Sequence, residues 1–122
     1  MAKKVLIVED NELNMKLFHD LLDAQGYETL QTREGLQALA LARQHKPDLI
    51  LMDIVMPRMT GLEACRELKK DKETEKIPVI LLTTRGEEKY VQEGYASGCS
   101  DYLTKPVNDA ELLDLLKAYL GE

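Results

Sequence analysis

Leu49-Ile50-Leu51-Met52-Asp53 decides the fold. Four consecutive apolar residues end in a carboxylate. A run that short and that continuous predicts a strand buried on both faces, as in a parallel sheet. Ile50 and Met52 would face one side of the sheet, Leu49 and Leu51 the other. Asp53 then stands where the strand leaves the sheet, and in open α/β sheets that carboxyl edge is where ligands bind. Glu9-Asp10, Thr83-Thr84 and Lys105-Pro106 bring polar groups to the same expected edge. Together these segments predict a crevice built around Asp53.

On the N-terminal side, Lys4-Val5-Leu6-Ile7-Val8 is a second continuous apolar run and a second buried strand. Asn11 can cap the helix that follows. There Leu13, Leu17, Leu21 and Ala24 recur at i, i+4, i+8 and i+11 as an apolar stripe, widened by Phe18 and Leu22. Gly26 suits a left-handed helix end. Tyr27 to Gln31 alternates and is rather polar, which predicts an edge strand. Thr32 is expected to cap a second helix, Arg33 to His45, with Leu36, Leu39, Ala40 and Ala42-Arg43 as its stripe. Pro47 stops it.

On the C-terminal side, Ile54 to Met59 reads as a loop. Thr60 and Glu63 form a capping-box pair, and Gly61 allows close packing at the start of a helix running to about Lys70. Its inward residues are Leu62, Cys65 and Leu68. Asp71 to Lys76 is a charged surface loop. Ile77 to Leu82 is the fourth strand, with Pro78 at its start, where no central ladder bond is lost. Gly86 to Ala96 is a weak fourth helix with Tyr90, Val91 and Tyr95 as its apolar residues. Asp101 to Thr104 is the fifth strand. Asn108 and Glu111 repeat the capping logic for a last helix whose Leu112, Leu113, Leu116 and Leu120 face inward.

Composition narrows the class. The 122 residues suffice for one domain with a sizeable core and not for two. A formal net charge of -6 argues against nucleic acid as the primary partner. No apolar run approaches a membrane span and no signal peptide precedes the first strand, so a cytoplasmic protein without membrane insertion is expected. Cys65 and Cys99 are isolated, with no C-x-x-C, and are expected as reduced thiols. His19 and His45 are expected on the solvated surface.

Strand and helix alternate five times, which predicts a doubly wound α/β sandwich with right-handed crossovers. The common five-strand order is 2-1-3-4-5. In that order the first and third strands are neighbours, and Glu9 and Asp10 come beside Asp53. Glu9, Asp10, Asp53 and Lys105 sum to about -2, a charge that one divalent ion neutralises. An all-oxygen donor set favours Mg²⁺. The Thr83 hydroxyl and Lys105 ammonium suit phosphoryl oxygens. The set therefore reads as a phosphoryl-transfer site with a carboxylate nucleophile.

The segments V-L-I-V-E-D-N, L-I-L-M-D-I-V-M-P, Gly61, L-L-T-T and D-Y-L-T-K-P resemble the receiver domain of two-component response regulators. The resemblance spans residues 1–122 as a single receiver with no output domain, built as a flavodoxin-like sandwich. The first half, to Ile54, is similar to stand-alone receivers of the bacterial cell cycle; beyond it the sequence reads as a more generic receiver. The resemblance implies Asp53 as phosphoacceptor, Asp10 as direct Mg²⁺ ligand, Glu9 as a ligand through water, and the Val55 carbonyl as a further ligand. It implies that Thr83 bonds the phosphoryl group, that Lys105 pairs with it next to a cis bond to Pro106, and that Tyr102 is the aromatic switch. Val55, Thr84 and Arg85 fall where the family tunes phosphoryl lifetime.

The expected function is thus a phosphorylation switch rather than an enzyme. A sensor histidine kinase or phosphotransfer protein would phosphorylate Asp53. A downstream protein would read the change through the face formed by helix four, strand five and helix five. No small-molecule cofactor beyond the metal is implied. A phosphatase with an Asp nucleophile usually needs a second acid where Val55 stands. An FMN carrier needs a hydroxyl- and Gly-rich loop where Glu9-Asp10-Asn11 stands. A pseudo-receiver scaffold that ignores phosphorylation is the remaining alternative, although all key residues are present.

Overall fold

The computed structural model describes residues 2–84 and 88–121. Strands β1 (Lys4–Val8), β2 (Glu28–Thr32), β3 (Leu49–Asp53), β4 (Val79–Thr84) and β5 (Asp101–Lys105) alternate with helices α1 (Glu12–Ala24), α2 (Gly35–His45), α3 (Gly61–Lys70), α4 (Glu88–Ala96) and α5 (Asp109–Leu120). The strands form one parallel sheet in the order β2-β1-β3-β4-β5. The doubly wound architecture and the 2-1-3-4-5 order expected from the alternation are what the chain adopts, with β3 in the middle.

Every residue of β3 is buried. Ile50 and Met52 pack with Leu6, Val8, Ala38, Leu62, Cys65 and Leu68 in a core beneath α2 and α3. Leu49 and Leu51 pack with Val5, Ile7, Phe18, Leu22, Leu112 and Leu116 beneath α1 and α5. The alternation along β3 therefore separates the two cores, one on each face of the sheet. The Thr60–Glu63 capping box forms with both hydrogen bonds. Asn11 and Asn108 cap α1 and α5 through their side chains.

Several local expectations differ from the structure. The buried face of α1 is Met15, Phe18 and Leu22, whereas Leu13 and Leu17 are 66% and 57% exposed and Ala24 is exposed. Both sets have helical spacing, and the sheet beneath selects the one rotated toward it. In α2 the buried residues are Gly35, Ala38 and Ala42. Leu36 and Ala40 are exposed and Leu39 is half-buried, because small residues let α2 lie close to the sheet. Thr32 belongs to β2, and Glu34 is the N-cap of α2. Tyr27 precedes β2 and is buried. The fourth strand starts later, at Val79, and runs to Thr84; the fifth reaches Lys105. Both shifts carry the strand ends to the chemical edge. Val91 is half-buried, Tyr95 is exposed and Gly94 is buried in α4, while the expectations for Gly86 and for the Tyr90 side chain fall outside what is described. His19 and His45 are both half-buried rather than solvated, and His19 Nδ1 lies 2.7 Å from Thr29 Oγ1. Cys65 and Cys99 are free and buried.

Candidate functional site

The carboxyl ends of β1, β3, β4 and β5 meet at one edge. Asp53 ends β3 opposite Leu82, and Thr83 follows Leu82 one step further out. Thr84 lies opposite Lys105 in the β4–β5 register. Glu9 directly follows β1.

Lys105 joins the carboxylates. Its Nζ donates to Glu9 Oε1 at 2.7 Å and to Asp53 Oδ2 at 3.0 Å. Glu9 is fully buried, and its Oε2 accepts the Asn11 N–H at 3.0 Å. Burial and the neighbouring Glu9 push the Asp53 carboxyl up from 3.8 to about 6, against the hydrogen bond and charge of Lys105. Burial alone would pull the Lys105 ammonium down, but bonds and charges from Glu9 and Asp53 outweigh it and hold its pKa above the usual lysine value. Two carboxylates thus share one ammonium in a buried pocket, and one negative charge is left over.

Gly61 fixes the exit of β3. A Cβ on Gly61 would stand 2.2 Å from the Asp53 carbonyl oxygen and 2.9 Å from Ile54 Cα, so only glycine fits. The Gly61 N–H donates to the Ile54 carbonyl at 2.8 Å. The start of α3 is thereby pinned to the residue next to Asp53.

The other expected site residues are placed as follows. Asp10 lies at the exposed rim, one residue beyond Glu9. Val55 is 58% exposed on the loop after β3. Thr83 is buried and its Oγ1 lies 3.4 Å from the Thr84 carbonyl; Thr84 is exposed. The Lys105–Pro106 peptide is cis. Tyr102 is 37% exposed, and its ring meets that of Tyr95 edge-to-face at 6.1 Å and 86°. The expectation for Arg85 falls outside the described residues. Glu9, Asp53 and Lys105 are in direct contact. Asp10 does not complete a cluster with them: among the described residues no three His, Cys, Asp or Glu side chains form a metal-holding group.

The donor chemistry nevertheless fits a hard dication. All candidate ligands are oxygens, and the buried trio carries excess negative charge, seen in the raised Asp53. Asp10 and the Val55 carbonyl stand on the two loops flanking that trio. Three residues outside the expected set also touch these loops. Arg33 Nη2 donates to the Asp10 carbonyl at 3.1 Å, and Arg58 Nη1 donates to Glu34 Oε1 at 2.7 Å. A cleft of about 920 Å³ opens beside them, lined in part by Asp10, Lys16, His19, Arg33, Glu34 and Pro57. No spacing in the sequence signals these contacts, which join residues far apart in the chain.

This edge, with an acidic pair after the first strand, an aspartate ending the central strand and a lysine ending the last, is that of a receiver. The chain belongs to the response regulator receiver domain family, whose model matches residues 5–117. It is a signalling module. Among curated proteins it is 52% identical to the polar-differentiation response regulator DivK of Brucella ovis over 125 aligned residues, covering 100% of this chain and 99% of that protein. The likeness therefore continues past Ile54. Among solved structures, the receiver domain of the sensor histidine kinase PA1611 from Pseudomonas aeruginosa PAO1, with a magnesium ion coordinated in its active-site cleft, superposes with TM-score 0.92 at 31% identity over 100% of both chains. The chemotaxis response regulator CheY4 of Vibrio cholerae superposes with TM-score 0.90 at 33% identity, over 98% of this chain and 99% of that one.

Proposed function

We propose that this receiver accepts a phosphoryl group on Asp53 and signals by changing its affinity for a downstream protein. The observation that carries this reading is Asp53 itself: a buried carboxyl at the end of the central strand, 3.0 Å from the Lys105 ammonium. The donor is a sensor histidine kinase or a phosphotransfer protein. An Asp53 oxygen attacks phosphorus, the bond from phosphorus to the donor histidine nitrogen breaks, and an acyl phosphate forms. Lys105 pairs with a phosphoryl oxygen as a point charge, and the Thr83 hydroxyl donates to another. Asp10, Asp53 and the Val55 carbonyl, with Glu9 acting through water, would hold Mg²⁺, whose charge would neutralise the phosphoryl oxygens. The magnesium bound in the PA1611 receiver supports that assignment.

The output face is α4–β5–α5, with Tyr102 as the moving ring. The similarity to a polar-differentiation response regulator supports a role in polar differentiation; on this reading the protein acts in the bacterial cell cycle, in the cytoplasm with its phosphodonor. Nucleic acid is not a partner on this reading, and no described helix is long and apolar enough to cross a membrane.

Acetyl phosphate with Mg²⁺, followed by mass mapping, tests the assignment. Wild type is expected to carry one acyl phosphate at Asp53. Asp53→Asn should fold and stay unmodified, and Asp10→Asn should react slowly and need more Mg²⁺. A wild type that takes no phosphoryl group is a pseudo-receiver instead. Val55, Thr84 and Arg85 are assigned to phosphoryl lifetime. Val55 offers no group to orient a hydrolytic water, and Thr84 crowds the approach. Phosphate release should be faster in Val55→Asn and in Thr84→Ala than in wild type; unchanged release in both would remove these side chains from the account.

A further inference from the structure

Four consecutive residues of the β2–α2 turn each touch a loop of the site. The Thr32 carbonyl accepts the Glu9 N–H at 3.1 Å. Arg33 donates Nη2 to the Asp10 carbonyl at 3.1 Å, and its Nη1 lies 3.3 Å from Glu12 Oε1. Glu34 accepts from Arg58 Nη1 at 2.7 Å. Arg58 sits at φ 70°, a left-handed conformation unfavourable for a residue with a Cβ. Gly35 leaves room for Met59: a Cβ there would stand 3.1 Å from Met59 Cγ and 3.3 Å from the Met59 carbonyl. The first two contacts hold the β1–α1 loop, the last two the β3–α3 loop.

Helix capping does not account for Glu34. It occupies the N-cap of α2 yet makes no side-chain cap bond. A residue there ordinarily uses its oxygen on the helix N–H groups; Glu34 uses it on Arg58. Nor does stability account for the pairs. The Arg33, Arg58 and Glu34 side chains are between 41% and 73% exposed, and ion pairs that open to water contribute little. What the turn does is tie two loops to a single short piece of chain.

We propose that Arg33 and Glu34 are positioning residues for magnesium, a clasp tying the Asp10 loop and the Val55 loop to one turn so that both reach the same ion. This rests on the functional reading above, in which both loops supply ligands. Mg²⁺ demands near-octahedral geometry at about 2.0–2.1 Å, so a loop displacement of a few tenths of an ångström, harmless to the fold, lowers affinity. Arg33 reaches two acceptors with one planar fork, which a lysine ammonium does not reproduce.

Calorimetric titration of MgCl₂ into the purified chain tests this, with urea unfolding in EDTA alongside. Wild type, Arg33→Lys, Glu34→Gln, Arg58→Gln and the Glu34→Gln/Arg58→Gln double variant are compared. Each single variant is expected to bind about two- to fivefold more weakly, the most that ion pairs open to water supply, with unfolding midpoints like wild type. The double variant should be no weaker than its singles, since they break the same pair. Single variants that bind like wild type overturn the clasp and leave the site reading standing. Affinity that falls only in step with lost stability also overturns it, in favour of a plain structural role. A wild type that binds no Mg²⁺ overturns the clasp and the metal reading together.

Discussion

At the scale of one residue, Asp53 is poised by opposing forces. Burial and Glu9 disfavour its charge, and Lys105 favours it, with the balance at about 6. A carboxyl that titrates at 3.8 in the unfolded chain and near 6 in the folded one holds its proton more tightly when folded. Its favourable contribution to stability is therefore complete below 3.8 and is lost as the pH rises through about 6. The metal-free protein carries this penalty at neutral pH, which is what a bound cation or a phosphoryl–Lys105 pair would relieve. Asp53→Asn keeps the shape and an acceptor for Lys105 but does not titrate. It is expected to exceed wild type in stability by up to about 3 kcal/mol at about pH 8 in EDTA. The gap should close near pH 4. Urea unfolding at the two pH values checks this, and equal stability at both would mean that Lys105 fully neutralises Asp53 in the free protein.

At the scale of elements, the existence and order of strands and helices could be read from the sequence, and helix rotation could not. Apolar runs such as Val5 to Val8 and Leu49 to Met52 have one physical solution, a strand with both faces covered. From three such runs and two more polar strands, alternating with helices, the strand order follows, and with it the meeting of Lys105 and Asp53 across 52 residues of chain. Helix α1 is different because it carries two apolar stripes. Leu13, Leu17 and Leu21 compete with Met15, Phe18 and Leu22 at equivalent spacing, and only the sheet decides between them. Leu17 is left in a groove of about 430 Å³ with Leu21, Pro106 and Val107. Leu22→Ala should cost about 2–5 kcal/mol, and Leu13→Gln less than about 0.5 kcal/mol. Comparable losses from both would mean that α1 is rotated from the position described. The contacts of Arg33, Glu34 and Arg58 escaped the sequence for another reason. They join residues far apart in the chain, and the Glu34–Arg58 pair sits at a left-handed turn at Arg58, where no glycine announces it.

On the proposed reading, at the scale of the whole molecule, a signal travels from the sheet edge to a surface formed by three elements. Tyrosines join them. Tyr95 on α4 meets Tyr102 on β5, and Tyr119 on α5 donates its hydroxyl to the Ser100 carbonyl, just before β5, at 2.9 Å. Helix α4 approaches the sheet through Gly94, where a Cβ would stand 2.9 Å from Leu81 Cδ1. A glycine contact buries little apolar area, so at this point α4 resists displacement only weakly. On the proposed reading, the edge-to-face pair holds Tyr102 outward with about 0.5–1.5 kcal/mol. A phosphoryl group at Asp53 offers Thr83 a charge-assisted hydrogen bond worth about 1.5–3 kcal/mol. The second term exceeds the first, so phosphorylation draws Thr83 in and lets the Tyr102 ring turn, and the shift cannot exceed that difference. Tyr95→Ala removes the outward hold without touching the phosphorylation site. It should move unphosphorylated protein toward the phosphorylated arrangement by a few-fold to about tenfold in the equilibrium constant. Ring resonances of Tyr102 read this directly, with free and phosphorylated wild type as the two ends of the scale. An unphosphorylated Tyr95→Ala spectrum whose Tyr102 signals coincide with free wild type would show that α4 does not restrain the switch through this pair.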